Sequence, residues 1–213
     1  MTIARRNLHG VTQYEKGRAF EGYTLFAPMF GRNVWLINMF GQVVHQWKMN
    51  NIPGNYGKLL SNGNLLYLGK LMPSPLPEFG GNGGQVIEVD WAGNTVWEYI
   101  DPLHSHCFAE MDNGNLMIAV WREVPQAIAE KVQGGQPGTE LKGVMWGEAI
   151  QEIDKNTKEV VWEWNSFEHL DVEIDILGPL HPRDRWTNLN AITMLPEGNI
   201  LVSFRCINTI AII

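Results

Sequence analysis

The chain contains the heptapeptide Ser61-Asn62-Gly63-Asn64-Leu65-Leu66-Tyr67, a turn followed by an apolar run. Closely similar sequences occur at Asp112–Ile118 and at Pro196–Val202. An Asn-Gly pair provides the positive φ that a tight hairpin turn needs, and Leu, Ile, Val and Tyr suit the pleated surface of a strand. Each copy therefore predicts a β-hairpin.

A second repeated sequence alternates with the first, at Phe40–Trp47, at Ala92–Tyr99 and more loosely at Asn156–Trp164. Each copy follows a strand-like segment, so each unit consists of a hairpin, a loop and another hairpin. Four strands in about 50 residues is the size of one blade of a β-propeller. The sequence therefore predicts an all-β protein with the β-propeller fold, of which this chain covers about four blades.

One of these units is longer than the others, and its additional residues, 123–146, are predicted to be an insertion. Within it, Glu123–Lys131 predicts a short helix, and the glycine-rich stretch Gln133–Gly138 predicts the loop that follows. The chain ends in the apolar run Asn208–Ile213, with no closing turn. We therefore expect a single propeller domain, residues 1–213, that is incomplete at its C terminus. An unclosed propeller exposes sheet faces, so marginal solubility or assembly into a homo-oligomer is expected.

Composition excludes several classes of protein. The 213 residues include 16 basic and 23 acidic side chains, and the net charge of -7 has the wrong sign for a nucleic-acid binder. No apolar run approaches the ~18 residues of a membrane helix, so no membrane interaction is expected. Residues 1–10 carry two arginines but lack the apolar core of a signal peptide, which predicts a cytoplasmic protein, or a periplasmic one if an upstream segment is missing.

Motifs for cofactors and metals are absent from the sequence. The two cysteines, Cys107 and Cys206, lie far apart and show no zinc-binding spacing. A glycine-rich phosphate loop, a serine nucleophile elbow and an HExxH sequence are all missing. We therefore expect neither a cofactor nor a metal, and the candidate chemistry depends on histidine, asparagine and arginine side chains.

The first candidate site is His104-Ser105-His106, directly upstream of a predicted hairpin. This is where the chain would enter the innermost strand of a blade, which lines the central channel. In an extended segment, side chains at i and i+2 point the same way, so His104 and His106 are expected to act together. The alternative is that both are polar loop residues satisfied by backbone carbonyls, and the sequence leaves both interpretations open.

The second candidate site occupies the equivalent place in the last unit. Asn188 and Asn190 are again two residues apart, and Arg205 follows in an apolar, strand-like stretch. A guanidinium in such a stretch must either reach the channel to bind an anion or form a buried ion pair with Asp or Glu. Both possibilities remain open at this point.

Taken in order, these segments resemble one known family, the bacterial arylsulfotransferases that do not use the nucleotide donor PAPS. The resemblance runs from about Gly22 to Ile213. The matching stretches are Gly22–Pro28, Trp35–Asn38, Val43–Trp47, Val86–Trp91, Trp97–Tyr99, the segment around His106, Trp186–Asn190 and Ser203–Arg205.

The resemblance implies a six-bladed propeller with its active site in the central channel. It also implies an enzyme that moves a sulfuryl group from an aryl sulfate to a phenol through a sulfated histidine. On this resemblance, His106 and Arg205 are the catalytic residues, His106 binding the sulfate and Arg205 steadying it. Asn188, Asn190 and His104 are expected to bind the substrate, with Asn190 matching the Asn of the family's W-x-H-x-N segment.

The chain departs from the family pattern in two ways. Asn188 stands where that segment carries a histidine, and an amide can donate a hydrogen bond to sulfate but cannot carry a proton near neutral pH. The nucleophilic histidine of the family belongs to a later blade, beyond Ile213. Two alternatives to an enzyme of this family follow: a non-catalytic propeller that binds an anionic or aromatic ligand or acts as a scaffold, and, less favoured, a quinone-dependent propeller enzyme.

Overall fold

The computed structural model describes residues 10–213, so the N-terminal stretch from which the cellular location was predicted lies outside the described residues. Within them, strands dominate, and both α-helices are only four residues long. In that part of the chain no helix is both long and apolar enough to span a membrane. The protein is all-β, as predicted.

The strands form four antiparallel sheets that follow one another along the chain. The first contains β1 (Thr24–Phe26), β2 (Asn33–Ile37) and β3 (Val43–Lys48). The second contains β4 (Pro53–Leu59), β5 (Leu65–Lys70), β6 (Gly84–Val89) and β7 (Thr95–Ile100).

The third sheet contains β8 (His104–Glu110), β9 (Leu116–Glu123), β11 (Trp146–Ile153) and β12 (Val160–Asn165). The fourth contains β14 (Leu189–Met194), β15 (Ile200–Phe204) and β16 (Thr209–Ile212). A 3₁₀ turn at Pro196–Gly198 joins β14 to β15. In all four sheets, strands that are neighbours in the sheet follow one another in the chain, except that a longer segment separates β9 from β11.

Residues 123–146 connect β9 to β11, and the helix within them, α1, is limited to Gln126–Ala129. The glycine-rich stretch that was expected to be a loop contains a short strand, β10 (Gly134–Gln136), which pairs in parallel with β13 (Leu177–Pro182). Arg183 holds this segment in place, because its guanidinium donates to the carbonyls of Ala129, Val132 and Gly134 and to Glu140. The second helix, α2 (Ser166–His169), follows β12.

The hairpin turns show why these sequences recur. Gly63, Gly114 and Gly198 all have φ near +86°, a conformation that glycine adopts without steric cost. The residue after each glycine accepts a hydrogen bond at its carbonyl from the residue that precedes the turn, so the three hairpins close in the same way. The donor and acceptor pairs are Leu60 and Asn64, Met111 and Asn115, and Leu195 and Asn199.

Apolar side chains fill the space between consecutive sheets. One buried cluster joins the second sheet to the third, for example Leu68 and Val86 with Val120 and Ala149, and another joins the third to the fourth. Tryptophan side chains link neighbouring sheets through hydrogen bonds at their edges: Trp47 donates to the Asp90 carbonyl and Trp97 to the Lys155 carbonyl. The first strands of the later sheets also contact one another, β4 with β8 and β8 with β14. The segments at the starts of β8 and β14 are therefore neighbours.

Candidate functional site

His106 lies in an irregular part of β8. In the pairing with β9, Ser105 is opposite Ala119 but Phe108 is opposite Ile118, so His106 and the next residue form a bulge. His106 has a φ of 56°, and its N–H donates to the Gly81 carbonyl at 2.7 Å. The imidazole lies directly over Gly81, where an added Cβ would be 2.3 Å from its Nε2. A bulge of this kind re-aims a side chain away from the regular face of a sheet.

His104 does not share this environment. It is 1% exposed, and its Nε2 lies 2.9 Å from the carbonyl oxygen of Cys107. Burial lowers the pKa of His104 to about 4, so the ring is neutral at pH 7. The bulge interrupts the two-residue alternation on which the expected partnership of His104 and His106 depended. His104 thus contacts a backbone carbonyl, as in the alternative interpretation given for this pair in the sequence analysis.

Asn188 lies beside His106, immediately before β14. It also adopts a left-handed conformation, with a φ of 51°, and it is 1% exposed. Its amide lies close to the imidazole of His106 and to the thiol of Cys206. Neither the Asn188 Oδ1 nor the His106 Nε2 forms a hydrogen bond within residues 10–213, although both atoms are buried. Buried polar atoms without partners are uncommon, so this pair makes the surrounding group a candidate site for ligand binding.

Arg205 reaches the same place from the next hairpin. It follows β15 in a turn rather than lying within the strand, and its N–H donates to the Asn188 carbonyl at 3.0 Å. The residue is exposed, and its side chain forms no ion pair within the described part of the chain. Its charge nevertheless acts on His106 and on Cys206. Of the two possibilities left open by the sequence, the buried ion pair is therefore not formed.

Asn190 is separated from this group. It lies at an irregularity in the pairing of β14 with β15, between Leu189 and Ala191, and its side chain is exposed. The left-handed residue Asn188 precedes the strand, so the two amides do not follow the simple alternation that the sequence suggested. The structure thus brings His106, Asn188 and Arg205 together, and leaves His104 and Asn190 outside that group.

Two further residues at this site were not predicted. Arg185 is largely buried, forms two hydrogen bonds of 2.8 Å with the carboxylate of Asp184, and lies 4.0 Å from the ring centre of Phe79. Glu148, on β11, is fully buried, and its carboxyl accepts a hydrogen bond from the Thr187 hydroxyl. The only sequence signal for Glu148 was an acidic residue at the start of an apolar strand.

The electrostatics of the site follow from this arrangement. Burial lowers the pKa of His106, the Asn188 amide raises it, and the charges of Arg205 and Arg185 lower it again. Burial raises the pKa of Glu148 to about 8 and that of the Cys206 thiol to about 11. Near neutral pH the site therefore contains a neutral imidazole, a protonated carboxyl, a thiol, an amide, the guanidinium of Arg205, and the guanidinium of Arg185 paired with the Asp184 carboxylate.

This set of groups suits an anionic ligand with several oxygen atoms. Guanidinium groups and neutral donors bind such anions with strong, charge-assisted hydrogen bonds. The described residues include no cluster of three or more His, Cys, Asp or Glu side chains that could hold a metal ion. The guanidinium, amide and imidazole groups gathered here are the part of the site that could bind an anion.

A family model described as Arylsulfotransferase (ASST) matches residues 23–213, nearly the whole chain. The chain belongs to the arylsulfotransferase family. No curated protein matches it significantly. Among solved structures, the chain is similar to a protein of unknown function from Bacteroides caccae, with 13% sequence identity and a TM-score of 0.41. That similarity covers 80% of this chain and 47% of the other, so this arylsulfotransferase-family chain spans about half the length of that protein.

Proposed function

We propose that the chain is part of an aryl-sulfate sulfotransferase, which transfers a sulfuryl group from an aryl sulfate to a phenolic acceptor through a histidine intermediate, without a nucleotide donor. The observation that carries this proposal is the convergence of His106, Asn188 and Arg205 from two consecutive sheets. Membership of the arylsulfotransferase family supports the same reaction class.

In this proposal the consecutive sheets are blades of a single β-propeller domain, and residues 123–146 are an insertion within one blade. Two features support it. The second and third sheets each have four antiparallel strands, and the first strands of the second, third and fourth sheets touch in succession. The starts of those first strands would line the central channel, where propellers bind small ligands.

His106, Asn188 and Arg205 would hold the sulfuryl group. In sulfuryl transfer, charge is spread over three oxygen atoms, and groups already in place to bind that charge lower the barrier. Arg205 would supply the cation, while the neutral His106 and the Asn188 amide would supply hydrogen bonds. A nucleophilic histidine must be neutral when it attacks, and it divides the transfer into two steps. We assign that nucleophile to none of the histidines of this chain.

Asn188 favours a second candidate function, a propeller that binds an aryl sulfate or a similar anion without transferring the sulfuryl group. An amide cannot accept or release a proton near neutral pH, whereas histidine can. Binding and transfer must therefore be measured separately.

The test uses the full-length natural protein with 4-nitrophenyl sulfate as donor and phenol as acceptor. We expect 4-nitrophenolate release that depends on the acceptor, is lost in Arg205→Ala, and is unchanged in Arg18→Ala, whose side chain is exposed and pairs with Glu15 instead. Binding of the donor without release, measured by calorimetry, would replace the enzyme by the second candidate. If a folded Arg205→Ala protein binds and turns over the donor like the wild type, the site assignment is wrong.

A further inference from the structure

Glu148 is a fully buried carboxyl for which the proposed reaction has no use. It lies on β11 in the third sheet, and its own N–H is 3.3 Å from the Ser166 hydroxyl at the start of α2. Burial of a carboxyl group without partners is costly, so such groups are normally hydrogen-bonded. The contacts of Glu148 therefore indicate why it is there.

The hydrogen bond of the Glu148 side chain leads to one turn, directly before the next sheet. One carboxyl oxygen, Oε2, accepts a hydrogen bond from the Thr187 hydroxyl. The backbone N–H groups of Leu189 and Asn188 also face the carboxyl. Glu148 thus contacts three consecutive residues of the segment that enters β14.

The middle residue of those three is Asn188, in its left-handed conformation. Such a conformation is disfavoured for a residue other than glycine, so surrounding contacts must maintain it. On its outer side, the turn is held by the N–H groups of Arg205 and Cys206, which donate to the carbonyls of Asn188 and Thr187. On its inner side, it is held by Glu148.

We propose that Glu148 is a positioning residue: through Thr187 and the neighbouring N–H groups it fixes the turn at Asn188, and so keeps the Asn188 amide against His106. The importance of this role for activity rests on the proposed function, in which His106 and Asn188 hold the sulfuryl group. The role itself concerns only the arrangement of the unliganded protein.

The protonation state of Glu148 provides a way to test this role. With its pKa raised to about 8, the carboxyl is mainly neutral at pH 7 and, like the amide of glutamine, has both a donor group and an acceptor oxygen. The charged or titratable groups that face it are Arg185 and Cys206. Glu148→Gln should therefore reproduce the neutral form, whereas Glu148→Ala and Thr187→Val remove the hydrogen bond that joins the two sheets.

The primary measurement is the pKa of His106 in the full-length protein without substrate, followed by NMR of the imidazole. Because the Asn188 amide raises this pKa, its displacement should lower it. We expect that decrease in Glu148→Ala, Thr187→Val and Asn188→Ala. We expect Glu148→Gln to keep the wild-type pKa of His106, because Glu148 is neutral throughout the pH range in which His106 titrates. Glu152→Gln is the matched control, because Glu152 lies on the same strand but accepts hydrogen bonds from Asn113 and Asn115, in the turn between β8 and β9.

The enzymatic measurement is the KM for 4-nitrophenyl sulfate, compared with kcat, from pH 6 to pH 9. A positioning role predicts a KM raised about 10-fold in Thr187→Val. It also predicts that the KM of the wild type changes above pH 8, where Glu148 ionises, and that the KM of Glu148→Gln does not. Thr187→Val differs little in volume, so it remains informative if Glu148→Ala does not fold.

If the Thr187→Val protein folds and its His106 has the same pKa as in the wild type, the proposal is wrong. The pKa of His106 could shift as expected while neither the wild type nor any variant transfers a sulfuryl group. In that case the positioning role stands and the proposed function fails. The two conclusions can therefore be separated.

Discussion

Replacement of Gly81 by alanine should displace His106 and weaken the site. At this position φ is +79°, and a Cβ would be 2.3 Å from both Cε1 and Nε2 of the His106 imidazole. Carbon atoms in ordinary contact are about 3.5 Å apart or more, so the ring would have to move by about 1 Å. The ring is the free end of a side chain, and it can move without unfolding the sheet.

Two effects of different size follow. A left-handed alanine costs about 1–2 kcal/mol of the free energy of unfolding, a loss that any exposed turn glycine would share. The displacement of a substrate-binding group by about 1 Å can reduce the rate by about 10²-fold. We therefore expect a modest loss of stability in Gly81→Ala, together with a loss of up to about 10²-fold in kcat/KM for 4-nitrophenyl sulfate.

Two control variants separate these effects. Gly114 has a φ of +86° with no atom within 4 Å, so Gly114→Ala carries the backbone cost alone. Gly80 has neither a positive φ nor a close neighbour, so Gly80→Ala should change neither quantity. Urea unfolding and the transfer assay are run on all three variants. A Gly81→Ala protein whose kcat/KM equals that of Gly114→Ala would show that the position of His106 is irrelevant to the reaction.

Three further predictions concern stability. The folded-state pKa of His104 is about 4, below the usual 6.5. The free energy of unfolding should therefore fall by up to about 3 kcal/mol as the pH drops from 6.5 to 4. Urea unfolding of His104→Asn should show a smaller decrease over the same pH range. Trp47→Phe removes the hydrogen bond to the Asp90 carbonyl and should lower the free energy of unfolding by about 1 kcal/mol. The Trp91 side chain forms no such bond in the described residues, so Trp91→Phe should lower it less. Equal losses in denaturant unfolding would contradict this prediction. Lys155→Met leaves the Glu88 side chain, which is 6% exposed, without its cation, and should lower the free energy of unfolding by about 2 kcal/mol at pH 7. The pKa of Glu88 is lowered, so this cost should shrink as the pH falls towards 4, and a constant cost in thermal melts at both pH values would argue against the ion pair.

Much of the fold could be predicted from the sequence because its determinants are local. The turn at Gly63 is specified by a few adjacent residues, and the apolar runs beside it specify the strands. The strand β10 was missed because its glycine-rich sequence is typical of a loop. It is held in place by Arg183, which follows it by almost 50 residues in the chain.

The site could be predicted only in part, and the reason lies in the backbone. The prediction that His104 and His106 act together assumed regular alternation, and the bulge in β8 removes it. Asn188 and Asn190 differ for a related reason, since Asn188 is left-handed and precedes its strand. A bulge or a left-handed residue other than glycine is stabilised by tertiary contacts, which a single sequence does not display. Glu148 was missed because its partner, Thr187, lies almost 40 residues further along the chain, in the segment that enters β14.

If the proposed transfer takes place at this site, the protonation states of its groups restrict how the acceptor phenol could lose its proton. At pH 7 the Glu148 carboxyl and the Cys206 thiol both retain their protons, Asn188 cannot accept one, and Asp184 is bound to Arg185. Among the groups described at this site, only the His106 imidazole combines a free, neutral nitrogen with a pKa below the ordinary value. If the phenol is deprotonated here, His106 must be the acceptor, and the rate should fall as His106 becomes protonated, at a pH below 6.5. The positive charge of the exposed Arg205 would favour both the resulting phenolate and the anionic donor, so the loss of that charge should slow both steps of the proposed transfer.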